Sequence, residues 1–309
     1  MTAITASAVK ELRGKSGAGM MDCKKALNET AGNIEEAMDW LRTKGLASAA
    51  KKSGRAAAEG LVGIASNGTT GVVVEVNSET DFVSRNEGFQ NYVNTVTDLA
   101  LEHGDSIDTL GAAAYPGTGR TVSEELTHLI SVIGEHMSLR RVKRMAVSKG
   151  AVINYLHNAT TANLGQIGVV VALESDADAG ELTMLGKQIA MHIAAANPKS
   201  HRKEDLDPAL VERERTIYKE QVLESGKPAE FADKIVEGRL RKFYEESVLC
   251  EQVYMIDDTK RTVAQVVADK AKELGTDINF TGYAQFRLGD GIEKKEDDFA
   301  AEVAAQLAK

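Results

Sequence analysis

The chain has 309 residues, a length that at about 100–200 residues per domain predicts two domains with room for a smaller third piece. Its formal net charge is −9, which argues against a nucleic-acid partner because such binding rests largely on phosphate neutralisation by Lys and Arg. The two cysteines, Cys23 and Cys250, are too few for a disulfide framework and too isolated for a zinc site.

Residues 1–45 are predicted to form three short helices. In the third, apolar residues over 34–41 recur at the i, i+3, i+4, i+7 spacing of an amphipathic helix. Asn33 is predicted to cap the start of this helix and Gly45 to end it. The small and basic residues of 46–59 are predicted to form a linker, either helical or flexible.

After the linker the pattern changes to β-rich runs around the polar turn SNGTTG, which predicts a β-hairpin followed by a helix. The same order recurs later, and GVVVEV (71–76) and GVVVAL (168–173) occupy equivalent places in it. We therefore predict a core of two α/β subdomains with antiparallel sheets. The first covers 60–147, and the second covers 148–205 together with 251–292.

Residues 206–250 are predicted to form a protruding helical hairpin of two charged amphipathic helices. Either the two apolar stripes bury each other, or a second copy of the chain covers them and makes a homodimer. Residues 293–309 are predicted to form a closing helix with Phe299, Val303 and Leu307 on one side. That apolar side docks either on its own chain or on a partner.

One loop is unusual for its composition. NSETDFVSRN (77–86) follows a strongly hydrophobic run and is almost entirely polar, yet it contains Phe82 in a chain with only 5% aromatics. Two interpretations stand: Phe82 tucks under its own hairpin, or it is a contact side chain. Asp81 is able to cap the turn that follows.

No motif supports an enzyme. RGKSGAG (13–19) contains Gly-Lys-Ser, but a phosphate-binding loop needs a Gly where Val9 stands and a preceding strand. The six histidines form no set of metal ligands: His192 lies on an apolar helix face, as a core or interface residue would, and His157 lies in a predicted turn. We expect no cofactor.

The sequence also bears on where the protein acts. The N-terminus lacks the uninterrupted apolar core of a signal peptide, and no run approaches the roughly 18 apolar residues of a membrane span. We therefore expect a cytoplasmic protein that does not contact a membrane.

Several segments resemble one known family. LRGKSGAGMMDCKKAL (12–27) is similar to an N-terminal signature of the bacterial elongation factor Ts family, and the loop above is similar to its Thr-Asp-Phe-Val motif. Further segments follow in the expected order over essentially the whole chain: QIGVVVAL, QIAMHIAAANP, SGKPAEFADKIVEGRLRKFYEE and GIEKKEDDFAAEVAA.

The resemblance implies an α+β fold and a function. The family fold has a three-helix domain similar to ubiquitin-associated (UBA) domains, a core of two subdomains, a helical-hairpin dimerisation module and a C-terminal helix. The implied function is guanine-nucleotide exchange on elongation factor Tu, bound with GDP or free of nucleotide, without covalent chemistry. Two other classes stand beside it: a nucleotide-using enzyme built on RGKSGAG, and a scaffold that dimerises through its hairpin.

The resemblance also implies roles for particular residues. The loop that enters the partner near its Mg²⁺ site is assigned to Thr80, Asp81, Phe82 and Val83. Other partner contacts are assigned to Met20, Met21, Lys24, Ile133, Gly134, His157, Met255 and Ile256. This chain departs from the family where Gln-Pro-Phe is usual, since Gln252 is followed by Val253 and Tyr254.

Overall fold

The structure is a computed structural model that describes residues 4–225 and 229–293. The predicted C-terminal helix therefore lies outside the described residues, apart from residue 293. The helices are α1 (Ala6–Ser16), α2 (Met20–Glu29), α3 (Ile34–Lys52), α4 (Glu87–His103), α5 (Ile107–Ala112), α6 (Val122–Ile133), α7 (Ala179–Ala196), α8 (Pro208–Glu224), α9 (Ala229–Ser247) and α10 (Val263–Leu274). The strands are β1 (Glu59–Ser66), β2 (Thr70–Ser78), β3 (Met137–Ala146), β4 (Gly150–Ala159), β5 (Leu164–Ser175) and β6 (Ile278–Arg287).

The three predicted N-terminal helices are present, but the third is longer than predicted. Asn33 caps α3 as expected, because its side chain accepts hydrogen bonds from the backbone N–H groups of Glu35 and Glu36. The prediction that Gly45 ends this helix is wrong, since α3 continues to Lys52. The alanine-rich stretch that follows favours helix, and so the first part of the predicted linker is helical.

Gly45 has a packing role instead. It is buried where α3 crosses α6, and a Cβ placed on it would lie 3.3 Å from the Cβ of Ser131. The absence of a side chain therefore allows the two helices to approach closely. The N-terminal helices rest on the core through this contact.

The strands form two antiparallel three-stranded halves. In the first half β2 lies between β1 and β3, and in the second β5 lies between β4 and β6. The halves join through two residue pairs between β1 and β5, Val62 with Gly165 and Gly63 with Leu164. Helices α4, α5 and α6 pack on the first half, and α7 and α10 pack on the second.

The two strand halves also pack against each other, so that both faces of their central strands are covered. In β2, Val72 and Val74 point into the core beneath α4, whereas Val73 points into a small cluster shared with β4, β5 and β6. β5 alternates in the same way, with Val169 facing α7 and Val170 facing the first half. This accounts for the nearly uninterrupted apolar runs at 71–76 and 168–173.

The mixed helix-and-sheet architecture confirms the predicted α+β class. Within the hairpin, Val222 on α8 and Val236 and Leu240 on α9 are buried in one cluster between the helices. The described parts of the two helices thus cover each other, as one of the two interpretations held, while dimerisation stays a prediction. No helix among the described residues is both long and apolar enough to cross a membrane.

Candidate functional site

The loop that carries Phe82 connects β2 to α4. It contains a short 3₁₀ helix, Asp81–Arg85, which places Asp81 and Phe82 at the surface. The Phe82 side chain is 74% exposed, so it does not tuck under its own hairpin. Val83 is only 3% exposed and joins the core beneath α4.

Side-chain hydrogen bonds hold both ends of this loop. At its start, the carboxylate of Glu135 accepts hydrogen bonds from Thr80 N at 2.9 Å and Thr80 Oγ1 at 2.7 Å. Within it, Ser84 Oγ donates to the carbonyl of Asp81 at 2.6 Å. Asn86, rather than Asp81, caps the helix that follows, by accepting a hydrogen bond from Phe89 N at 3.1 Å. The exposed aromatic ring therefore projects from an anchored backbone.

The predicted N-terminal contacts lie on the first turns of α2. Met20 is 59% exposed and Met21 is 74% exposed, and Lys24 is also exposed one turn further on. Cys23 and Leu27 of the same helix are buried in the small core of the three-helix unit. The two methionines are thus surface residues and not part of that core, and thioether side chains at a surface adapt well to a partner.

RGKSGAG does not have the structure of a phosphate-binding loop. Its first four residues are the end of α1, and Gly17 ends that helix with a φ of +65°. No strand precedes it in the described chain, whose first element is α1. Ser16 is buried and its hydroxyl lies 3.6 Å from the sulfur of Cys23, so it does not face a ligand.

Ile133 and Gly134 lie beside the Phe82 loop. Gly134 is exposed and ends α6 with a φ of +91°, a conformation that favours glycine. Ile133 is partly buried against the core of the first half. The next residue is Glu135, whose carboxylate accepts hydrogen bonds from Thr80 at the start of the Phe82 loop.

His157 is exposed, but it lies in β4 opposite Ile167 and not in a turn, as the sequence had suggested. The strand is longer than its apolar residues indicate, because pairing with β5 continues past them. The ring nitrogen Nδ1 of His157 lies 3.1 Å from the hydroxyl of Tyr155. His157 belongs to the second half of the strands, whereas Phe82 follows β2 of the first half.

The segment that departs from the family pattern has its own anchor. Met255 is 62% exposed and Ile256 is 37% exposed, whereas Tyr254 before them is buried and donates a hydrogen bond to Gln188 Oε1 at 3.3 Å. Burial raises the pKa of Tyr254 to about 12, so its hydroxyl stays protonated. The replaced aromatic position therefore still fixes the segment to the body of the second half.

His192 binds the same segment through its two ring nitrogens. It is fully buried, as predicted for a core histidine; its Nε2 lies 3.0 Å from Gln252 Oε1 and its Nδ1 accepts a 3.3 Å hydrogen bond from Met255 N. Gln252 uses its amide nitrogen to donate to Glu246 O, so its oxygen is the acceptor and His192 Nε2 carries the proton. Burial lowers the pKa of His192, which keeps the ring neutral.

Sequence reasoning missed two sets of residues. Glu79 and Glu135 accept backbone hydrogen bonds that join the start of the Phe82 loop to the connection between α6 and β3. They lie more than 50 positions apart in the chain, and nothing in the local pattern connects them. Met184 and Met191, 59% and 38% exposed, lie on α7. Their spacing of seven on one helix was a signal that could have found them.

The described residues contain no group of three or more His, Cys, Asp or Glu side chains placed to hold a metal ion. The prominent surface features are instead apolar side chains that stand exposed on separate elements, with Phe82, Met21 and Met255 the most exposed of those predicted.

Comparisons with known proteins give the class and the family. The profile of the family described as Elongation factor TS matches residues 79–290. The chain is 59% identical over 307 residues to the elongation factor Ts of Rhizorhabdus wittichii, covering 99% of each. It is 56% identical to that of Rhodospirillum centenum, covering 99% of each, and 56% identical to that of Rhodospirillum rubrum, covering 100% of each.

These matches place the protein among the elongation factors of translation. The chain belongs to the elongation factor Ts family, because the family profile matches more than half of it and full-length relatives are 56–59% identical to it.

Proposed function

We propose that this chain is a guanine-nucleotide exchange factor for elongation factor Tu. It binds the GDP-bound partner, promotes GDP release and leaves a nucleotide-free complex to which GTP binds. It makes and breaks no covalent bond itself. The observation that carries the proposal is Phe82, an aromatic side chain that is 74% exposed on an anchored loop in a chain of this family.

In the proposed mechanism, Asp81 and Phe82 enter the partner near its Mg²⁺ site. An exchange factor works by lowering the affinity of another protein for its ligand, and the coupling is reciprocal: GDP weakens binding of the factor by the same ratio. Phe82 supplies an apolar wedge, and Asp81 places a negative charge beside it. Thr80 and Val83 hold the two ends of the pair, one through Glu135 and the other through the core.

We propose that the Phe82 wedge does not act alone. If release is to be accelerated about 10⁴-fold, the required difference in binding free energy is about 5.5 kcal/mol. Burial of one Phe side chain supplies only about 1.5–3 kcal/mol. The remainder has to come from a distributed grip on the partner. The residues that we assign to this grip are Met20, Met21, Lys24, Ile133, Gly134, His157, Met255 and Ile256.

We propose a modular organisation for this grip. The N-terminal module, similar to UBA domains, ends at Lys52 and not at residue 45, because α3 runs to that point. The two halves of the core are its subdomains, residues 206–250 are the hairpin through which a homodimer forms, and residues 293–309 add a C-terminal contact. The protein acts in the cytoplasm, without nucleic acid or membrane.

The test is stopped-flow release of a fluorescent GDP analogue from elongation factor Tu, with and without this chain. We expect release to accelerate and to saturate with concentration of the factor. Binding without acceleration would make the chain a scaffold. Equilibrium dialysis of the chain alone with GTP or ATP tests the nucleotide-using enzyme, and we expect no retention of either nucleotide.

A further inference from the structure

Two glutamates join the start of the Phe82 loop to the connection between α6 and β3, and each accepts hydrogen bonds from the residue that follows the other in the chain. The Glu135 carboxylate uses one oxygen for Thr80 N and the other for Thr80 Oγ1, at 2.9 and 2.7 Å. The Glu79 carboxylate accepts a hydrogen bond from His136 N at 2.5 Å. We call these four residues, Glu79, Thr80, Glu135 and His136, the carboxylate bracket.

The bracket begins where the backbone pairing of β2 with β3 stops. The last pair of that ladder is Ser78 with Met137, and the bracket residues directly follow and precede these two. Side-chain carboxylates thus take over from carbonyl groups as acceptors for the backbone N–H groups of Thr80 and His136. Bonds between an ionised acceptor and a neutral donor are stronger than neutral pairs, so the end of the ladder is firmly closed.

The glycine before Glu135 directs its side chain towards Thr80. The φ of +91° at Gly134 ends α6, and the capping N–H of this glycine donates to the carbonyl of Ile130. No heavy atom lies within 4 Å of the position that a Gly134 Cβ would occupy, so glycine is needed there for its backbone conformation and not for space. The sharp turn brings the following Glu135 side chain to Thr80.

Glu79 also pairs the bracket with the connection between α3 and β1. Its carboxylate pairs with Arg55 at 3.3 Å, and Arg55 lies just after α3 in the connection to β1. The Glu79 side chain is 20% exposed, but that of Arg55 is 55% exposed, so water screens this pair and its contribution is small. The start of the loop is therefore bonded to the connection that precedes β3 and paired with the connection that precedes β1.

We infer that Glu135 and Glu79 are positioning residues for exchange: they order the Phe82 loop in the free protein, before the partner arrives. This inference rests on the proposed function above. A loop that is already ordered loses less conformational freedom when it inserts, so more of the binding energy is left for displacing the nucleotide. Neither glutamate needs to touch the partner for this effect.

The first experiment measures loop order without any partner. Trp40 is the only tryptophan, so Trp40→Phe with Phe82→Trp places one fluorescent reporter at the loop tip. In this background we expect Glu135→Ala to increase the amplitude of the fast phase in time-resolved anisotropy. Glu102→Ala, which removes an exposed carboxylate from the far part of α4, should leave the decay unchanged. An unchanged decay for Glu135→Ala would overturn the inference.

The second experiment uses GDP release from elongation factor Tu with the full chain. Glu135→Ala should lower the maximal release rate about tenfold, the size expected from losing hydrogen bonds to a charged group, and change the half-saturating concentration less than about twofold. Glu135→Gln, which keeps one carbonyl acceptor, should fall between this variant and the wild type. A raised half-saturating concentration with an unchanged maximal rate would make Glu135 a contact residue and contradict the inference.

A further variant and the wild-type control distinguish failure of this inference from failure to fold and from failure of the proposed function. Thr80→Val removes the hydroxyl but keeps the N–H bond to Glu135, so it should show a smaller change in anisotropy in a protein that stays folded. If Glu135→Ala fails to fold, the inference is decided by this variant, whose unchanged anisotropy would overturn it. If the wild-type chain does not accelerate GDP release, the proposed function fails, whereas the anisotropy result still decides whether the bracket orders the loop.

Discussion

Phe82 and Val83 are neighbours in one short 3₁₀ helix, yet 74% of the first side chain and only 3% of the second are exposed. Successive side chains in such a helix are about 120° apart, so two adjacent residues can face solvent and core. Val83 packs with Phe89 and other residues of the first half. The core thus fixes the loop from within while it presents Phe82 outward.

Substitutions at these two residues should separate an effect on partner contact from an effect on folding stability. Phe82→Ala removes a side chain that is not part of the core, so we expect the free energy of unfolding to change by less than about 0.5 kcal/mol while GDP release slows markedly. Val83→Ala should instead lower the free energy of unfolding by about 1–3 kcal/mol. Urea denaturation and stopped-flow release measure the two effects, and release at the wild-type rate with Phe82→Ala would refute the wedge.

The methionines of α2 give a second prediction. Met20→Ala combined with Met21→Ala should raise the half-saturating concentration for GDP release several-fold and leave the thermal unfolding temperature nearly unchanged, because both side chains are more than half exposed. Leu27→Ala is the matched control from the buried side of the same helix, and it should destabilise the module. Unaltered exchange in the double variant would remove α2 from the grip.

The sequence was informative where a pattern is local. Alternation and apolar runs predicted β2 and β5, and the cap at Asn33 follows from residues within one turn. What covers each face of β5 was not predictable, because a run of valines shows that both faces are buried but not against which strands. Gly45 illustrates the same limit: its role depends on Ser131, which is distant in the chain.

The candidate site divides in the same way. Phe82 stood out in a polar loop, but its exposure depends on Val83 and on bonds from Glu135, 55 positions from Thr80. No periodic pattern connects residues in two loops. A helix pattern could have found Met184 and Met191, whereas the bracket required the fold.

Glu75 is a buried charge whose removal should be costly. It is fully buried on β2, and its carboxylate accepts hydrogen bonds from Arg140, Arg141 and the backbone N–H of Gly289. Glu75→Ala leaves both guanidinium groups without this acceptor, so we expect a loss of about 3 kcal/mol in the free energy of unfolding. The control is Glu237→Ala, which breaks an exposed ion pair with Arg215 and should cost less than about 1 kcal/mol. Equal losses in urea denaturation would contradict this account.

His192 should make stability depend on pH. Burial lowers its pKa in the folded protein below the ordinary value of 6.5, so the unfolded chain takes up a proton first as the pH falls. The contribution of neutral His192 to the free energy of unfolding is therefore fully present above pH 6.5. It is lost as the pH falls below 6.5 and through the lower pKa of the folded protein. Protonation of Nδ1 would also remove the acceptor for Met255 N.

His192→Gln provides the comparison, since glutamine has no charge change in this range. We expect urea denaturation to show a smaller loss of stability between about pH 7.5 and about pH 5.5 for this variant than for the wild type. Other histidines whose pKa is lowered by burial, among them His128 and His201, are present in both proteins, so the difference reports His192 alone. Equal losses would show that its protonation does not oppose folding.

Gly289 and Gly275 have similar backbone conformations but different surroundings, so their substitutions can be compared. Both have positive φ, +72° and +67°, but a Cβ on Gly289 would lie 2.3 Å from the carbonyl oxygen of Ala58, whereas Gly275 has no heavy atom within 4 Å of that position. Gly275→Ala should therefore cost only the backbone strain, about 1–2 kcal/mol. Gly289→Ala should cost about 1–3 kcal/mol more, because the clash with Ala58 forces the turn away from Glu75. Urea denaturation of both variants checks this, and equal midpoints would mean that the turn moves without loss of its contacts.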